Sequence, residues 1–177
     1  MSLSLSQLTV PAFVQTLNAL SGVLDKAQAF AQAKKIDEAT LLGTRLIPDM
    51  LPLGRQVQLS CDFAKNTMAR LSMSEPPKFE DSEKTIPELK ARIEKTLAYV
   101  HSIDAAKVDG AGAAHITFPA GPGMKATLTG AVYLLHFALP NFYFHATTAY
   151  AILRKSGVEL GKRDFIGAVP GFAPVPA

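Results

Sequence analysis

The chain contains no tryptophan and only one cysteine, Cys61, among its 177 residues. A lone cysteine excludes a disulfide within the chain and fits a reducing compartment, so we expect a cytoplasmic protein. The 18 basic and 15 acidic residues are spread along the sequence, without a block of lysine and arginine. A net charge of +3 without a basic cluster argues against nucleic acid as a partner.

Long apolar runs are also missing. The most apolar stretch, AVYLLHFALPNFYF, is interrupted by His136, Pro140 and Asn141 and is too short to span a membrane. The first lysine is Lys26, so the N-terminal residues lack the basic segment of a secretory signal. We therefore expect no membrane as a partner. A hydrophobic content of 48% with 19% charged residues is typical of a globular protein, and we predict a single domain over residues 1–177.

Familiar catalytic motifs are absent from the sequence. It has no paired Cys/His zinc pattern, no HExxH and no G-x-S-x-G, and the glycines of GAGAAH do not follow a predicted strand. The sequence therefore does not predict a zinc protease, a serine hydrolase of the common kind or a dinucleotide-binding enzyme.

Apolar residues at spacings of three and four predict two helices in the first half of the chain. The first covers residues 4–33, with Pro11 in an early turn or at a kink. The second begins near Pro48 and extends to about Ser72. A charged, proline-rich linker follows over residues 74–85.

Two further helices are predicted in the second half. One follows Thr85, its N-cap, with Pro87 in the first turn. The last region covers residues 131–157 in two pieces that meet near Pro140, and Gly157 ends it. Between them, two β-compatible runs around AGPG predict a short hairpin or an ordered loop.

The fold class that follows is all-α, a four-helix bundle around one core. The Gly/Pro-rich tail, from about residue 160 to 177, is expected to lie on the surface.

Polar residues interrupt the apolar faces of two of these helices. Gln58 and Asp62 are four residues apart on the second helix, and Asn141 and His145 are four apart on the last. Residues at i and i+4 share one face of a helix. If both faces point inward, these four side chains line a pocket between helices, where bundles hold metals and small molecules.

Structural explanations stay open for each of these residues. His145 could be a hydrogen-bonded core histidine, and Asp62 could be paired with Lys65 or Arg55. Cys61 is expected to be a small buried apolar residue. One imidazole, one carboxylate and two amides are a poor ligand set for a transition metal, so zinc, nickel or manganese would bind only weakly at His145 and Asp62.

Three segments carry a resemblance to a known family: LPNFYFHATTAYAILRKSGVELGKRDF, RLIPDMLPLGRQVQLSCDFAK and TIPELKARI. They resemble a domain-of-unknown-function family within the DinB-like (DinB/YfiT-like) superfamily of metal-dependent enzymes. The resemblance covers nearly the whole chain. It implies a four-helix bundle with a long crossover connection, commonly assembled as a homodimer.

The resemblance also implies a metal site. Typical DinB-like proteins hold a metal on three histidines, one from the second helix, often followed by an aspartate four residues later, and two from the last helix as H-x3-H. In this chain Leu153, Arg154 and Gly157 match the continuation of the last helix. That match puts His145 on the second histidine of the pair and Asn141 on the first.

On the second helix the same pattern falls on Gln58 and Asp62, so that amides stand at two of the three histidine positions. We therefore predict a small-molecule-binding or regulatory protein without tight metal binding. One alternative is a hydrolase or thiol transferase that uses the same pocket, with a metal or with His145 as the base and Asp62 as a further catalytic candidate. The other is a structural oligomerisation module.

Overall fold

The structure is a computed structural model and describes residues 3–173. Its first element, α1, is a helix over Leu5–Lys34. The Ser4 hydroxyl accepts from the Gln7 backbone N–H while the Gln7 side chain accepts from the Ser4 N–H, so both ends of this capping box are satisfied. Pro11 lies inside α1 and does not end it.

The next helices are α2, Glu38–Leu42, and α3, Leu53–Leu71. The predicted start of the second helix near Pro48 is therefore wrong by five residues. Pro52 is the N-cap of α3, and the backbone N–H of Leu53 donates to the carbonyl of Thr44 across the preceding loop. A proline disfavours helical geometry in the residue before it, so Pro52 fits a helix start better than a helix interior.

Helix α4 covers Ile86–Ser102 and begins as predicted. Thr85 is its N-cap and forms a capping box with Glu88, and Pro87 lies in the first turn, where a missing N–H costs nothing. A short helix, α5, follows over Ala105–Asp109.

A small antiparallel sheet separates α5 from the last helical region. Strand β1, His115–Pro119, pairs with β2, Lys125–Thr129, and the register puts Thr117 opposite Thr127. Of the two alternatives for this region, the hairpin is the correct one. The chain is mostly helical with this small sheet, and is not purely α.

The last helical region is continuous through the expected break. It consists of α6, Gly130–Tyr133, a π-helical turn over Leu134–Ala138, and α7, Leu139–Lys155. A proline ring collides with the carbonyl four residues earlier in a regular helix, and the wider π turn relieves that collision before Pro140. The left-handed Gly157, with φ of 98°, follows the helix as expected.

The long helices pack around one apolar core. Helix α3 packs against α7 and α4, and α1 packs against α4. Part of the tail forms a short helix, α8, Lys162–Ile166, which packs on α1, while residues 174–177 lie outside the described part. Within residues 3–173 no helix has both the length and the apolar character needed to cross a membrane. The largest fully buried side chains are Tyr133, Phe13, Phe142, Leu17, Leu24, Leu53, Met68, Leu71, Ile86, Leu89, Ile93 and Leu134.

Candidate functional site

His145 lies in α7 and faces α3. Its Nδ1 is 2.8 Å from Oε1 of Gln56, which is only 1% exposed. The other end of the same amide, Nε2, donates to the carbonyl of Leu51 at 3.1 Å. Because the amide nitrogen of Gln56 already donates to the Leu51 carbonyl, the Gln56 Oε1 must accept from His145, and Nδ1 of the imidazole carries the proton.

Two aromatic rings contact this imidazole. Phe63 stacks on His145 with ring centroids 5.5 Å apart, and Phe144 meets it edge-on at 5.2 Å. Burial, reinforced by the positive charge of Arg55, lowers the pKa of His145 from 6.5 to about 4. The ring is therefore neutral at pH 7, and its Nε2 has no hydrogen-bond partner among residues 3–173.

Asn141 lies one turn before His145, and its side chain forms a hydrogen bond with the backbone of the same helical region. Its Nδ2 donates to the carbonyl of Phe137 at 2.7 Å, next to the π-helical turn. The side chain is half-buried, and no hydrogen bond to its Oδ1 is present in the described part of the chain.

Gln58 and Asp62 have different surroundings from His145. Gln58 donates through Nε2 to Glu83 at 2.8 Å and accepts at 3.1 Å from Arg55. Asp62 accepts from Arg92 at 2.9 Å and lies 3.2 Å from the ammonium of Lys65. Asp62 is thus ion-paired with Lys65, one of the two partners considered, while Arg55 pairs instead with Asp81.

Arg92 is the centre of this second cluster. Its guanidinium is almost fully buried and forms ion pairs with three carboxylates, those of Asp62, Asp81 and Glu83, at 2.9–3.0 Å. Asp81 and Glu83 belong to the connection between α3 and α4, and Lys65 donates to the Pro77 carbonyl of the same connection at 2.8 Å. These contacts bind the connection to α3 and α4.

The structure therefore brings His145 to Gln56 and Phe63, and it brings Gln58 and Asp62 to the connection and α4. Successive helix residues are about 100° apart around the axis, so Gln56 and Gln58, two residues apart, are separated by about 200° and point to different sides of α3. The residue that the sequence missed is Gln56. A signal was available in the sequence, because Gln56, Ser60 and Phe63 are spaced at i, i+4 and i+7 and therefore share one face of the helix.

The family model described as "Domain of unknown function (DUF1993)" matches residues 5–166. The chain belongs to the DUF1993 family. A crystal structure of a DinB family member protein from Shewanella denitrificans is similar over 96% of each chain, with 45% sequence identity and a TM-score of 0.88. No curated protein matches the chain. The resemblance to a DinB-like family of unknown function is thus confirmed.

The side chains of this DUF1993 member do not fit a tightly held metal at the site that the DinB resemblance implies. Within residues 3–173, no three or more His, Cys, Asp and Glu side chains are close enough together to hold an ion. His145 keeps one lone pair, on Nε2, because Nδ1 is bonded to Gln56. The amides of Gln56 and Asn141 are poor ligands for zinc or nickel.

The single cysteine adds no reactive group to this DUF1993 chain. Cys61 is fully buried in α3, and burial raises the pKa of its thiol to about 12, although a hydrogen bond with Thr96 acts in the opposite direction. A thiol with this pKa carries no thiolate at neutral pH and is inert as a nucleophile.

Proposed function

We propose that this DUF1993 member is a small-molecule-binding bundle of the DinB type that works without a tightly held metal. The hydrogen bond between His145 Nδ1 and Gln56 Oε1 carries the proposal. In a DinB-like metal site the His145 position would supply one imidazole lone pair. We assign the second-helix imidazole to the Gln56 position, not to Gln58 as the sequence pattern did, because Gln56 is the residue that contacts His145. Here an amide and an imidazole satisfy each other, and such a pair holds its geometry without an ion.

The bundle interpretation is supported by the arrangement of the long helices. Helices α1, α3 and α4 and the combined α6–α7 region are the long segments, and the connection over residues 72–85 joins α3 to α4. The similarity to the DinB family member from Shewanella denitrificans supports the same arrangement.

The ligand chemistry follows from the atoms that have no partner. His145 Nε2 is a hydrogen-bond acceptor on a neutral ring, and Asn141 Oδ1 is a second acceptor one helical turn away. Two acceptors beside the rings of Phe63 and Phe144 suit a small molecule that has an apolar body and donates O–H or N–H groups.

Binding is favoured over turnover by the basicity of His145. A general base works best when its pKa is near the working pH, and a pKa of about 4 leaves this imidazole a weak proton acceptor at pH 7. The metal-free hydrolase alternative is therefore less well supported than a binding role.

Exposed apolar side chains on α6–α7 and the turn between them favour a second role in self-association. Val132, Leu135, Tyr143 and Phe144 are between 38% and 54% exposed, and residues 130–153 contain no Asp, Glu, Lys or Arg. A homodimer through this surface would show a concentration-dependent mass in sedimentation equilibrium, and Leu135→Glu would make the protein monomeric.

Isothermal titration with zinc, nickel and manganese tests the metal half of the proposal. We expect no site in the untagged protein with a Kd below about 10 µM, and an unchanged heat for His145→Ala. The ligand half is tested by thermal shift against a set of small hydrogen-bond donors. A genuine ligand raises the Tm of the wild type and of His136→Ala, which alters an exposed histidine of the preceding turn, but not of His145→Ala.

A metal bound at nanomolar Kd and lost in His145→Ala would overturn the metal half. Ligands that stabilise His145→Ala as much as the wild type would overturn the assignment of the pocket.

A further inference from the structure

The hairpin leaves one edge of β1 without a partner. Two hydrogen bonds frame its ladder: Gly130 N–H donates to the Ala114 carbonyl at 2.9 Å, and Ala120 N–H donates to the Met124 carbonyl at 3.0 Å. Both pairs fit the register that puts Thr117 opposite Thr127. Hydrogen-bonded pairs recur at every second residue of an antiparallel ladder.

The register determines which backbone groups of β1 point toward β2 and which point away from it. Ile116 and Phe118 exchange hydrogen bonds with β2, while the backbone N–H and C=O groups of His115 and Thr117 point away from it. Within residues 3–173 these outward groups have no hydrogen-bond partner, and both residues are exposed. An edge with free donors and acceptors is a template for an additional strand.

A cleft of about 580 Å³ opens along this edge. Strand β1 is one wall, and the chain that leaves the end of α3 is the other. An extended segment opposite all five residues of β1 would be about 17 Å long. The side chains and backbone that line the cleft belong to Arg70, Met73, Ser74, Glu75, Pro76, His115, Ile116, Thr117, Phe118, Pro119 and Lys125.

The charges of the cleft are mainly positive. Arg70 and Lys125 are cationic, and Glu75 is the one acidic side chain among the lining residues. Arg70 is held in place, because its Nη1 donates to the Tyr133 hydroxyl at 2.9 Å and its guanidinium lies over the Phe118 ring. Two copies of this edge would repel each other, whereas an acidic segment would be attracted.

We propose that the β1 edge cleft binds an extended acidic peptide segment of another protein, which pairs with β1 as an added strand. The backbone of Thr117 supplies the central pair of hydrogen bonds, and Arg70 and Lys125 select acidic side chains. Strand addition of this kind derives its affinity from main-chain hydrogen bonds and its specificity from alternate side chains. This site is separate from the proposed His145 pocket.

The probe for a first test is the fluorescein-labelled peptide acetyl-EVEVE-amide, compared with its lysine analogue acetyl-KVKVK-amide. Fluorescence polarisation on the full chain is expected to detect the acidic peptide and not the basic one. N-methylation at the second and fourth residues is then compared with N-methylation at the first, third and fifth. Because every second N–H points at β1, one methylated set should weaken binding at least about tenfold and the other should leave it nearly unchanged.

Charge variants locate the site. Lys125→Glu should weaken binding of the acidic peptide about three- to tenfold, while Lys162→Glu, with the same change in net charge at an exposed position on α8, should not. In ¹⁵N spectra the amide of Thr117 should shift and gain protection from hydrogen exchange when the peptide binds.

Four results would overturn the proposal. The acidic peptide could fail to bind at millimolar concentration, or both methylated sets could bind equally well. Full competition by glutarate would show a site for small carboxylates instead of a strand, and a dimer that Lys125→Glu strengthens would show that the edge is occupied by a second copy.

Discussion

Replacing Gln56 by leucine tests the hydrogen bond between Gln56 and His145, which carries the proposed metal-free site. The substitution removes the acceptor of the His145 N–H, which is buried between α3 and α7 and cannot turn to water. Leaving a buried donor unsatisfied costs about 1–3 kcal/mol. The Leu51 carbonyl also loses its donor, but Leu51 is exposed and water can replace it. We expect a net loss of about 1–2 kcal/mol, because the leucine side chain offsets part of the cost by burying apolar area.

A double-mutant cycle separates the hydrogen bond from the other effects. His145→Phe removes the donor and keeps a ring that stacks on Phe63. Replacing both partners by apolar groups can be nearly neutral, so the double variant should be more stable than the two single losses predict, with a coupling energy of about 1–2 kcal/mol. Gln58→Leu is the matched control: it is also buried on α3 but contacts Glu83, and it should be additive with His145→Phe within about 0.5 kcal/mol.

The assay is urea denaturation at pH 7 and 25 °C, with equal m-values required across the set. A coupling energy below about 0.5 kcal/mol between positions 56 and 145 would refute the argument. An equal coupling energy between positions 58 and 145 would refute the claim that His145 is paired with Gln56 rather than with Gln58.

Three further predictions concern stability. The native pKa of His145, about 4, is below its ordinary value of 6.5, so its contribution to the free energy of unfolding is fully present above pH 6.5 and is lost as the pH falls to about 4. We expect this loss to be roughly 2 kcal/mol in the wild type and to be absent in His145→Phe. Arg92→Leu removes the buried cation that three carboxylates share, although Lys65 still pairs with Asp62 and Arg55 with Asp81, and should cost about 2–4 kcal/mol in urea denaturation. Lys90→Ala, which breaks a surface pair on the same helix, should cost less than about 1 kcal/mol. Gly130→Ala would put its Cβ 2.1 Å from the Ala111 carbonyl oxygen and should lower stability by about 3 kcal/mol or abolish soluble expression.

Each of these predictions has a contradicting outcome. The first fails if His145→Phe and the wild type lose stability in parallel between pH 6.5 and 4.5. The second fails if Arg92→Leu is no worse than Lys90→Ala. The third fails if Gly130→Ala melts at the wild-type temperature.

Local signals were enough to predict much of the fold. The apolar spacing predicted the long helices, and Thr85 as N-cap with Pro87 in the first turn predicted the start of α4. The start of α3 was predicted wrongly because Pro48 and Pro52 are both compatible with a first turn. The π-helical turn before Pro140 was not predicted either, because proline usually breaks a helix and the packing that preserves this one is not local.

The candidate site was less predictable than the fold. Periodicity gives the angle between two residues of one helix, but it does not say which side of that helix faces a second one. Gln56 and His145 are 89 residues apart, and only their packing brings them together. Asp62 and Gln58 looked like one pocket wall from their spacing. The structure gives these residues partners in the connection and in α4, and it puts Gln58 in the lining of a cleft of about 350 Å³ with Arg55 and Glu83.

The most direct test of the central claim, that the protein works without a tightly held metal, compares the zinc affinity of the wild type with that of Gln56→His/Asn141→His. The variant puts imidazoles at the position that contacts His145 and at the position one turn before it, so that three imidazoles are present. Gln58→His/Asn141→His, with the second-helix imidazole at the position that the sequence pattern implied, is its control. We predict weak binding by the wild type and by the control, and a gain of at least about 100-fold in the Gln56 variant. Tight zinc binding by the wild type, or an equal gain in the control, would contradict the account.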